Sequence, residues 1–288
     1  MEKWIADFQN ALVNDGKSEN TVKSYTLAVK EYFRWFSESY GDTEFKGLYR
    51  ANIQEYKSYL KNIKRVGKDQ TNLDAKSINA KLSALVKFNE LMQPENIVIS
   101  KVDFIKIQES AINPTDVTKK DVEEFRQRIL QSEGCGSVRN YAIVTILAYA
   151  GLRISEVLKL KKIDVATQAN QIRISDGKGE KQRIVVINSK IVDAINDYMN
   201  TDSVESEYLF HNNKGKPLNR TTINKVFNEF SENITPHTLR HFYCTNALES
   251  GAYSINEVSQ QAGHSDIRTT MRYTNPNLKK MIEKADLL

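Results

Sequence analysis

The sequence predicts a mainly α-helical protein with one small antiparallel β-sheet, divided into two domains. Three observations lead to this fold class. Apolar residues recur at helical spacing through most of the 288 residues. An Asn-Pro step among small residues in 108–121 is typical of a linker. Two runs rich in β-branched residues flank a glycine-bearing turn within 170–188, which predicts a hairpin.

The first domain, residues 1–112, is predicted to be a helical unit with little strand signal. Its four predicted helices are 2–14, 18–41, 50–63 and 76–94. In the second of them, the helical spacing points these apolar residues inward: Val22, Tyr25, Leu27, Val29, Tyr32, Phe33 and Phe36. In the fourth, Ser77 is the N-cap candidate and Pro94 ends the helix.

The second domain, residues 113–288, is predicted to carry the hairpin within a set of helices. Thr118 is the cap candidate for the first of these. The predicted helices are 119–131, 138–150, 153–160, 189–200, 219–231, 236–250, 254–261 and 266–273. An amphipathic stretch, 277–288, is too short to be a stable isolated helix and is expected to dock on another surface.

Composition excludes several classes of protein. The net charge of +5 is a mild basic bias that permits nucleic-acid binding. The longest apolar run, 141–151, is shorter than the ~20 residues of a membrane span, and the N-terminus has no signal core. We therefore expect a cytoplasmic protein without a membrane partner.

Several cofactor and metal motifs are missing from the sequence. Cys135 and Cys244 have no C-x-x-C partner, so neither a disulfide framework nor a zinc site is indicated. The chain has no P-loop and no H-E-x-x-H, and GKGEKQ at 177–182 lacks the last glycine of a dinucleotide fingerprint. We expect no cofactor and no metal, so any chemistry must come from side chains.

Two basic residues stand in settings that allow either a structural or a functional interpretation. Arg153 and Glu156 are three positions apart, so they form either a surface ion pair or an arginine held by a carboxylate. Lys178 lies between two glycines at the hairpin tip. It is either an ordinary turn residue or a cation that reaches a nucleic-acid backbone.

The stretch PHTLRHFYC at 236–244 combines a helix start with histidine and arginine. His237 and Arg240 share a helix face near the N-terminal end, which favours anions. An H-x-x-R pair also arises by chance, and His241, one turn further on, is expected to pack rather than react. Downstream, AGHSDIRTTMRY brings His264 and Tyr273 close in sequence, although a single tyrosine among thirteen is usually structural.

In this order and combination, the motifs resemble the signature of the tyrosine site-specific recombinases, which include phage integrases, Xer-type recombinases and transposon-encoded integrases and resolvases. The resemblance implies a catalytic second domain, a core DNA-binding first domain and no cofactor. It implies catalytic roles for Arg153, Lys178, His237, Arg240 and His264, Tyr273 as the nucleophile, and Glu156 in support. Ala262 and Phe242 depart from the commonest family pattern, but neither replaces a reacting group.

The resemblance also implies partners. The substrate would be a double-stranded DNA recombination site, contacted by the first domain through Lys23, Lys76, Lys81 and Lys87, unless these lysines belong only to solvated helix faces. Four copies would assemble on DNA by cyclic exchange of 277–288, unless that segment docks on its own domain. The chain starts almost directly with the core-binding helices, so a separate arm-binding domain is not expected.

The implied reaction is strand exchange through a 3′-phosphotyrosine and a Holliday junction. It would serve chromosome-dimer resolution, transposon cointegrate resolution or element integration. Two rivals remain: a topoisomerase IB-like enzyme that relaxes DNA as a monomer, and a catalytically silent DNA-binding regulator on the same scaffold. The docking segment argues against the first and the presence of every reacting group against the second.

Overall fold

The computed structural model describes residues 1–41, 44–67, 71–107, 117–133, 136–175 and 182–274. The chain divides into two compact units, Met1–Gln108 and Glu109–Leu288. Both are mainly helical with small antiparallel sheets, which confirms the predicted fold class. The boundary predicted near residue 112 and the docking segment 277–288 lie outside the described residues.

The N-terminal unit contains four helices and a two-stranded ribbon. The elements are α1 (Glu2–Asn14), α2 (Glu19–Tyr40), α3 (Arg50–Asn62), β1 (Arg65–Val66), β2 (Thr71–Asn72) and α4 (Ala75–Met92), followed by a short 3-10 helix (Lys101–Asp103). The sequence predicted the four helices but not the antiparallel β1–β2 pair. Its two strands are only two residues each and exposed, so they leave no alternation of buried and exposed residues to detect.

Aromatic side chains fill the core of this unit. Tyr32 contacts the rings of Trp35 and Tyr56 at centroid distances of 5.6 and 5.0 Å, and Phe33 lies 4.7 Å from Phe45. All five side chains are buried. The Tyr32–Tyr56 and Phe33–Phe45 pairs meet edge to face, which adds favourable contacts to the burial of apolar area.

Two details of the helix predictions were wrong. Leu27 was expected to face the core but is 66% exposed, because the helical turn that buries Val29 and Thr26 carries Leu27 to the opposite face. The N-cap of α4 is Asp74 and not Ser77; the Asp74 carboxylate accepts the backbone N–H of Ser77.

The C-terminal unit is built around α6, which is buried on nearly all sides between α5, α8 and α10. Its helices are α5 (Lys119–Leu130), α6 (Ser137–Ala150), α7 (Ile154–Val157), α8 (Ser189–Thr201), α9 (Arg220–Phe230), α10 (Pro236–Glu249), α11 (Ile255–Ala262) and α12 (Ile267–Met271). Thr118 caps α5 through a reciprocal pair of bonds with Asp121, as predicted.

The sheet of this unit has three antiparallel strands rather than the predicted two. They are β3 (Val165–Ala166), β4 (Gln171–Ile174) and β5 (Arg183–Val186), in the order β3-β4-β5. Ile172 pairs with Val185, and both side chains are buried. This register turns one face of the sheet toward the helices, and the hairpin tip with Lys178 lies outside the described residues.

In the described part of the chain, we find no helix with the length and apolar character needed to cross a membrane. Cys244 is a buried free thiol, and Cys135 lies outside the described residues.

Candidate active site

A tight turn between α6 and α7 presents Arg153. Gly151 ends α6 with φ of 64°, and a Cβ at this position would lie 2.2 Å from the Tyr243 ring. Arg153 is then the N-cap residue of α7, where its backbone N–H donates to the Glu156 carboxylate at 2.8 Å. Its guanidinium also donates to Glu156, at 2.9 Å, so the pair is an arginine held by a buried carboxylate.

A second arginine, Arg183 on β5, binds the same Glu156 carboxylate. Its two terminal nitrogens donate to the two Glu156 oxygens at 3.0 and 2.9 Å. Burial raises the pKa of Glu156, but the bonds from Arg183 and Arg153 outweigh it and leave the pKa below its usual value. Glu156 is therefore an anion shared by two cations.

Arg183 also ties this carboxylate to the end of α11. It donates to the carbonyl oxygens of Gln261 and Ala262 at 3.3 and 3.4 Å. The chain then turns at Gly263, where a Cβ would lie 2.5 Å from the Arg183 guanidinium carbon. The Gly263 carbonyl accepts a bond from Arg153 at 2.6 Å. These bonds fix the turn that precedes His264 against the arginines.

Sequence reasoning missed Arg183. The one available signal was strand alternation: Arg183 stands two positions before Val185, so the two side chains share the inward face of β5. An arginine on an inward face needs a buried partner, and Glu156 is that partner.

Arg240, on α10, lies at the turn between α6 and α7 that presents Arg153. Thr235 caps this helix and Pro236 occupies its first turn, as the sequence predicted. Arg240 is 6% exposed and donates to the Gly151 carbonyl at 2.7 Å. Burial and the nearby charge of Arg153 lower the pKa of Arg240. The two like charges repel each other, so the site gains free energy when an anion binds between them.

His237 and His241 form a pair one turn apart on α10. Their Nε2 atoms are 2.7 Å apart and their ring centroids 4.2 Å apart. Burial lowers both pKa values, with further lowering by Arg240, and that of His241 falls to about 4. At neutral pH the two uncharged rings therefore share one hydrogen bond. His241 also lies 5.0 Å from the Tyr273 ring, so it packs beside the tyrosine, and the expectation that it packs rather than reacts stays a prediction.

His264 follows the Gly263 turn and stacks on Tyr273. The two rings are nearly parallel with centroids 6.2 Å apart. Nδ1 of His264 is 2.7 Å from the Thr270 hydroxyl. Burial, followed by the charges of Arg240, Arg153 and Arg183, lowers the pKa of His264 to about 4, so this imidazole is also neutral at pH 7.

Tyr273 lies just after α12 and is 8% exposed. It packs in a small apolar cluster with Tyr243, Cys244 and Val258. Burial, together with Cys244, raises the pKa of Tyr273 to about 12, against a lowering by Arg240 and Arg272. The phenol thus holds its proton in the resting site and must lose it to become a nucleophile.

The structure thus brings together six of the seven residues that the sequence singled out in the second domain. They are Arg153, Glu156, His237, Arg240, His264 and Tyr273. The seventh, Lys178, lies outside the described residues. No group of three histidine, cysteine or acidic side chains suited to a metal ion occurs in the ranges that the structure describes.

The four lysines proposed for DNA contact divide into two pairs. Lys23 and Lys76 are exposed on α2 and α4. Lys81 is 2.6 Å from the Glu31 carboxylate, and Lys87 is 3.0 Å from Asp15. The charges of the second pair are therefore partly neutralised within the N-terminal unit.

Chemically, the arrangement suits a phosphoryl group in transfer. Two guanidinium groups offer paired N–H donors to phosphoryl oxygens, and guanidinium and phosphate match each other in geometry. Neutral imidazoles beside a phenol can donate a hydrogen bond or accept a proton. The site therefore combines fixed positive charge with a phenol whose proton can be moved.

Comparisons with known proteins agree with this geometry. The model of the phage integrase family matches residues 116–280, and that of the phage integrase N-terminal SAM-like domain matches residues 4–93. The chain is 47% identical to the TnP I resolvase of Bacillus thuringiensis, with 98% of each chain covered. It is 29% identical to tyrosine recombinase XerA of Thermococcus kodakarensis, covering 99% of this chain and 95% of the relative.

The fold is also found among solved structures. The Tn1549 transposon integrase in complex with circular intermediate DNA superposes with a TM-score of 0.69 at 18% identity, with 99% of each chain covered. At this identity the likeness establishes a shared fold.

Proposed function

The chain belongs to the phage integrase family of tyrosine recombinases, and from this premise we propose that it cuts and rejoins DNA at a specific site with Tyr273 as the nucleophile. The observation that supports this most is the gathering of two arginines and three neutral histidines around one buried tyrosine. The proposed substrate is a double-stranded DNA recombination site.

In the proposed first step, the Tyr273 oxygen attacks the scissile phosphorus while Arg153 and Arg240 bind the phosphoryl oxygens. His237 and His264 add hydrogen bonds to the same oxygens. Such fixed donors stabilise the charge that develops in the transition state, and loss of one typically costs ~10²- to 10³-fold in rate. The pKa of Tyr273, near 12, requires its proton to leave during attack, and the neutral imidazole of His241 beside it can accept that proton.

The bond from phosphorus to the 5′ oxygen breaks as the tyrosine bond forms. We assign the protonation of that leaving oxygen to Lys178 as general acid. The product is a 3′-phosphotyrosine and a free 5′ hydroxyl. Because the ester energy is kept in the covalent intermediate, no nucleotide cofactor is needed for rejoining. Attack by a 5′ hydroxyl from the other DNA site then exchanges strands and gives a Holliday junction.

Strand exchange between two sites requires four active sites, so the proposed assembly is a homo-tetramer on DNA. Segment 277–288 would dock on the neighbouring copy, and the exposed Lys23 and Lys76 would contact DNA phosphates. Deletion of 277–288 is expected to leave DNA binding intact and weaken recombination. Unchanged recombination by the truncated chain would refute the exchange of this segment.

Of the biological roles open to such an enzyme, the proposal favours resolution within a mobile element. What supports it is the 47% identity to a resolvase over nearly the whole chain, against 29% to a Xer-type recombinase. A plasmid carrying two directly repeated copies of the element's site tests the role. We expect it to be resolved into two circles, and relaxation without exchange would favour the topoisomerase-like alternative.

A nicked duplex substrate tests the chemistry. When the short strand between cleavage point and nick is released, rejoining is blocked and a covalent protein–DNA adduct accumulates. We expect the wild-type protein to form this adduct and Tyr273→Phe to form none. An absent wild-type adduct on the element's own site, or an adduct formed by Tyr273→Phe, would overturn the proposal.

A further inference from the structure

Thr270 lies beneath the candidate active site and contacts one of its histidines. Its side chain is fully buried on α12, and its hydroxyl oxygen is 2.7 Å from Nδ1 of His264. Neither the motif comparison nor the charge arrangement assigns this residue a part in the reaction. The contact matters because of the protonation state of His264.

His264 is neutral in the site because burial and three arginines lower its pKa to about 4. A neutral imidazole carries a proton on one ring nitrogen and a lone pair on the other. The nitrogen that bears the proton therefore decides what His264 offers to a ligand. With the proton on Nε2, the ring donates a hydrogen bond from Nε2. With the proton on Nδ1, Nε2 carries the lone pair and is an acceptor.

The Thr270 hydroxyl has one proton to donate. Within the described residues it forms no hydrogen bond other than the one to His264. A buried hydroxyl whose proton meets no acceptor is destabilising, and many helical threonines avoid this by donating to the carbonyl four residues before. Thr270 makes no such bond to Asp266, so the available acceptor is Nδ1 of His264.

We propose that Thr270 is a positioning residue that donates its hydroxyl proton to Nδ1 of His264 and so fixes the tautomer that carries a proton on Nε2. Nε2 makes no hydrogen bond within the part of the chain that the structure describes. The proton on Nε2 is therefore free to be donated in a hydrogen bond to a phosphoryl oxygen. The opposite tautomer would direct a lone pair at an anion and repel it.

This inference rests on the proposed function for its purpose, but its geometry is tested without DNA. The full-length protein is labelled with ¹⁵N-histidine, and the ring-nitrogen shifts distinguish protonated from unprotonated nitrogen. Only four histidines need to be assigned, for which His264→Gln identifies the relevant signals. Wild type should show His264 protonated on Nε2 at neutral pH.

The matched variants are Thr270→Val, which keeps the shape and removes the hydroxyl, and Thr269→Val, which changes a neighbouring threonine that does not contact His264. We expect Thr270→Val to show a mixture of tautomers and Thr269→Val to match wild type. A wild-type His264 protonated on Nδ1, or a Thr270→Val spectrum identical to wild type, would overturn the inference.

A kinetic comparison links the tautomer to catalysis. Thr270→Val should cleave the nicked duplex roughly tenfold more slowly at unchanged DNA affinity, and Thr270→Ser should recover most of the rate. Equal rates for Thr270→Val and wild type would remove the catalytic part of the inference. If wild type shows the Nε2 tautomer but cleaves no DNA, the proposed function fails and the Thr270–His264 assignment stands.

Discussion

The candidate site has two halves that are built on different principles. The arginine half consists of Arg153, Glu156, Arg183 and Arg240, and the histidine half of His237, His241, His264, Thr270 and Tyr273. Ion pairs and bonds to backbone carbonyls hold the first half, so its charges are permanent and fixed in place. The second half has no charge at neutral pH and is held by two contacts of 2.7 Å between neutral groups.

The difference separates two tasks of phosphoryl transfer. Stabilising a charged transition state requires cations that do not move or titrate, and a shared carboxylate provides that rigidity. Moving a proton from a phenol requires a neutral base with a free lone pair, which a charged imidazolium lacks. Burial serves both, since it strengthens the electrostatic interactions of the arginines and lowers the pKa values of the histidines.

The largest effect is expected in the arginine half. Arg240→Ala removes a buried phosphate donor and should slow adduct formation on the nicked duplex by ~10²- to 10³-fold. DNA affinity, measured by gel shift, should change far less. Arg240→Lys restores charge but not paired donors, and is expected to recover only part of the rate. A rate for Arg240→Ala within a fewfold of wild type would show that this half does not stabilise the transition state.

A smaller loss of cleavage rate is expected when the arginine half keeps Arg153 and Arg240 but loses Arg183, which holds Glu156 in place. Arg183→Met leaves Glu156 with one cation and frees the turn before His264, so cleavage should fall about 10- to 100-fold, comparable to loss of an outer-shell partner. The melting temperature should also decrease. Arg173→Met, on the exposed face of β4, is the control and should preserve both. If the two variants behave alike, Arg183 does not position Arg153.

The histidine half can be tested through the residue that the sequence assigned to packing. His241→Phe keeps a ring beside Tyr273 but removes the nitrogen that contacts Nε2 of His237. The loss of one hydrogen bond predicts a cleavage rate lower by roughly tenfold, less than for Arg240→Ala. The single-turnover rate on the nicked duplex measures it. If His241→Phe cleaves at the wild-type rate, His241 contributes only packing and takes no part in the reaction.

The smallest effect is a pH dependence of stability. His241 and His264 have pKa values near 4 in the folded protein, below the usual value of 6.5. Between pH 4 and pH 6.5 these histidines bind more protons in the unfolded chain than in the folded protein. The free energy of unfolding should therefore fall as the pH decreases from 6.5 toward 4. We expect about 1 kcal/mol or less per histidine between neutral pH and about pH 5, because both rings are only half-buried.

Urea denaturation at the two pH values measures this loss, and His241→Phe should remove part of it. Carboxylates titrate mostly below this window, at about pH 4 and lower, so they contribute little to the difference. A wild-type protein whose stability does not change between the two pH values would show that its histidines are not shielded as the structure indicates.

Local patterns predicted the helices well because each signal lies within its own segment. The cap at Thr118 and the helices predicted over 18–41 and 138–150 all follow from neighbouring residues. The error at Leu27 has a simple origin, since several aromatic residues in one helix allow more than one inward face and only packing against other helices selects it.

The site was predictable where its residues stand in motifs and not where they meet through space. Arg153, Arg240 and Tyr273 were found because a family pattern orders them along the chain. Arg183 and Thr270 were missed because their partners lie 27 and 6 positions away on other elements. No spacing rule connects such pairs; only the packing of β5, α7 and the α11–α12 turn brings them together.

Mass spectrometry of the trapped adduct shows whether Tyr273 becomes covalently attached to the 3′ end of cleaved DNA. After nuclease and trypsin digestion, the peptide that begins at Tyr273, YTNPNLK, should carry a nucleotide linked through its 3′ phosphate. The released strand should end in a free 5′ hydroxyl. A nucleotide found on any other peptide, or a 5′ linkage at Tyr273, would contradict the account.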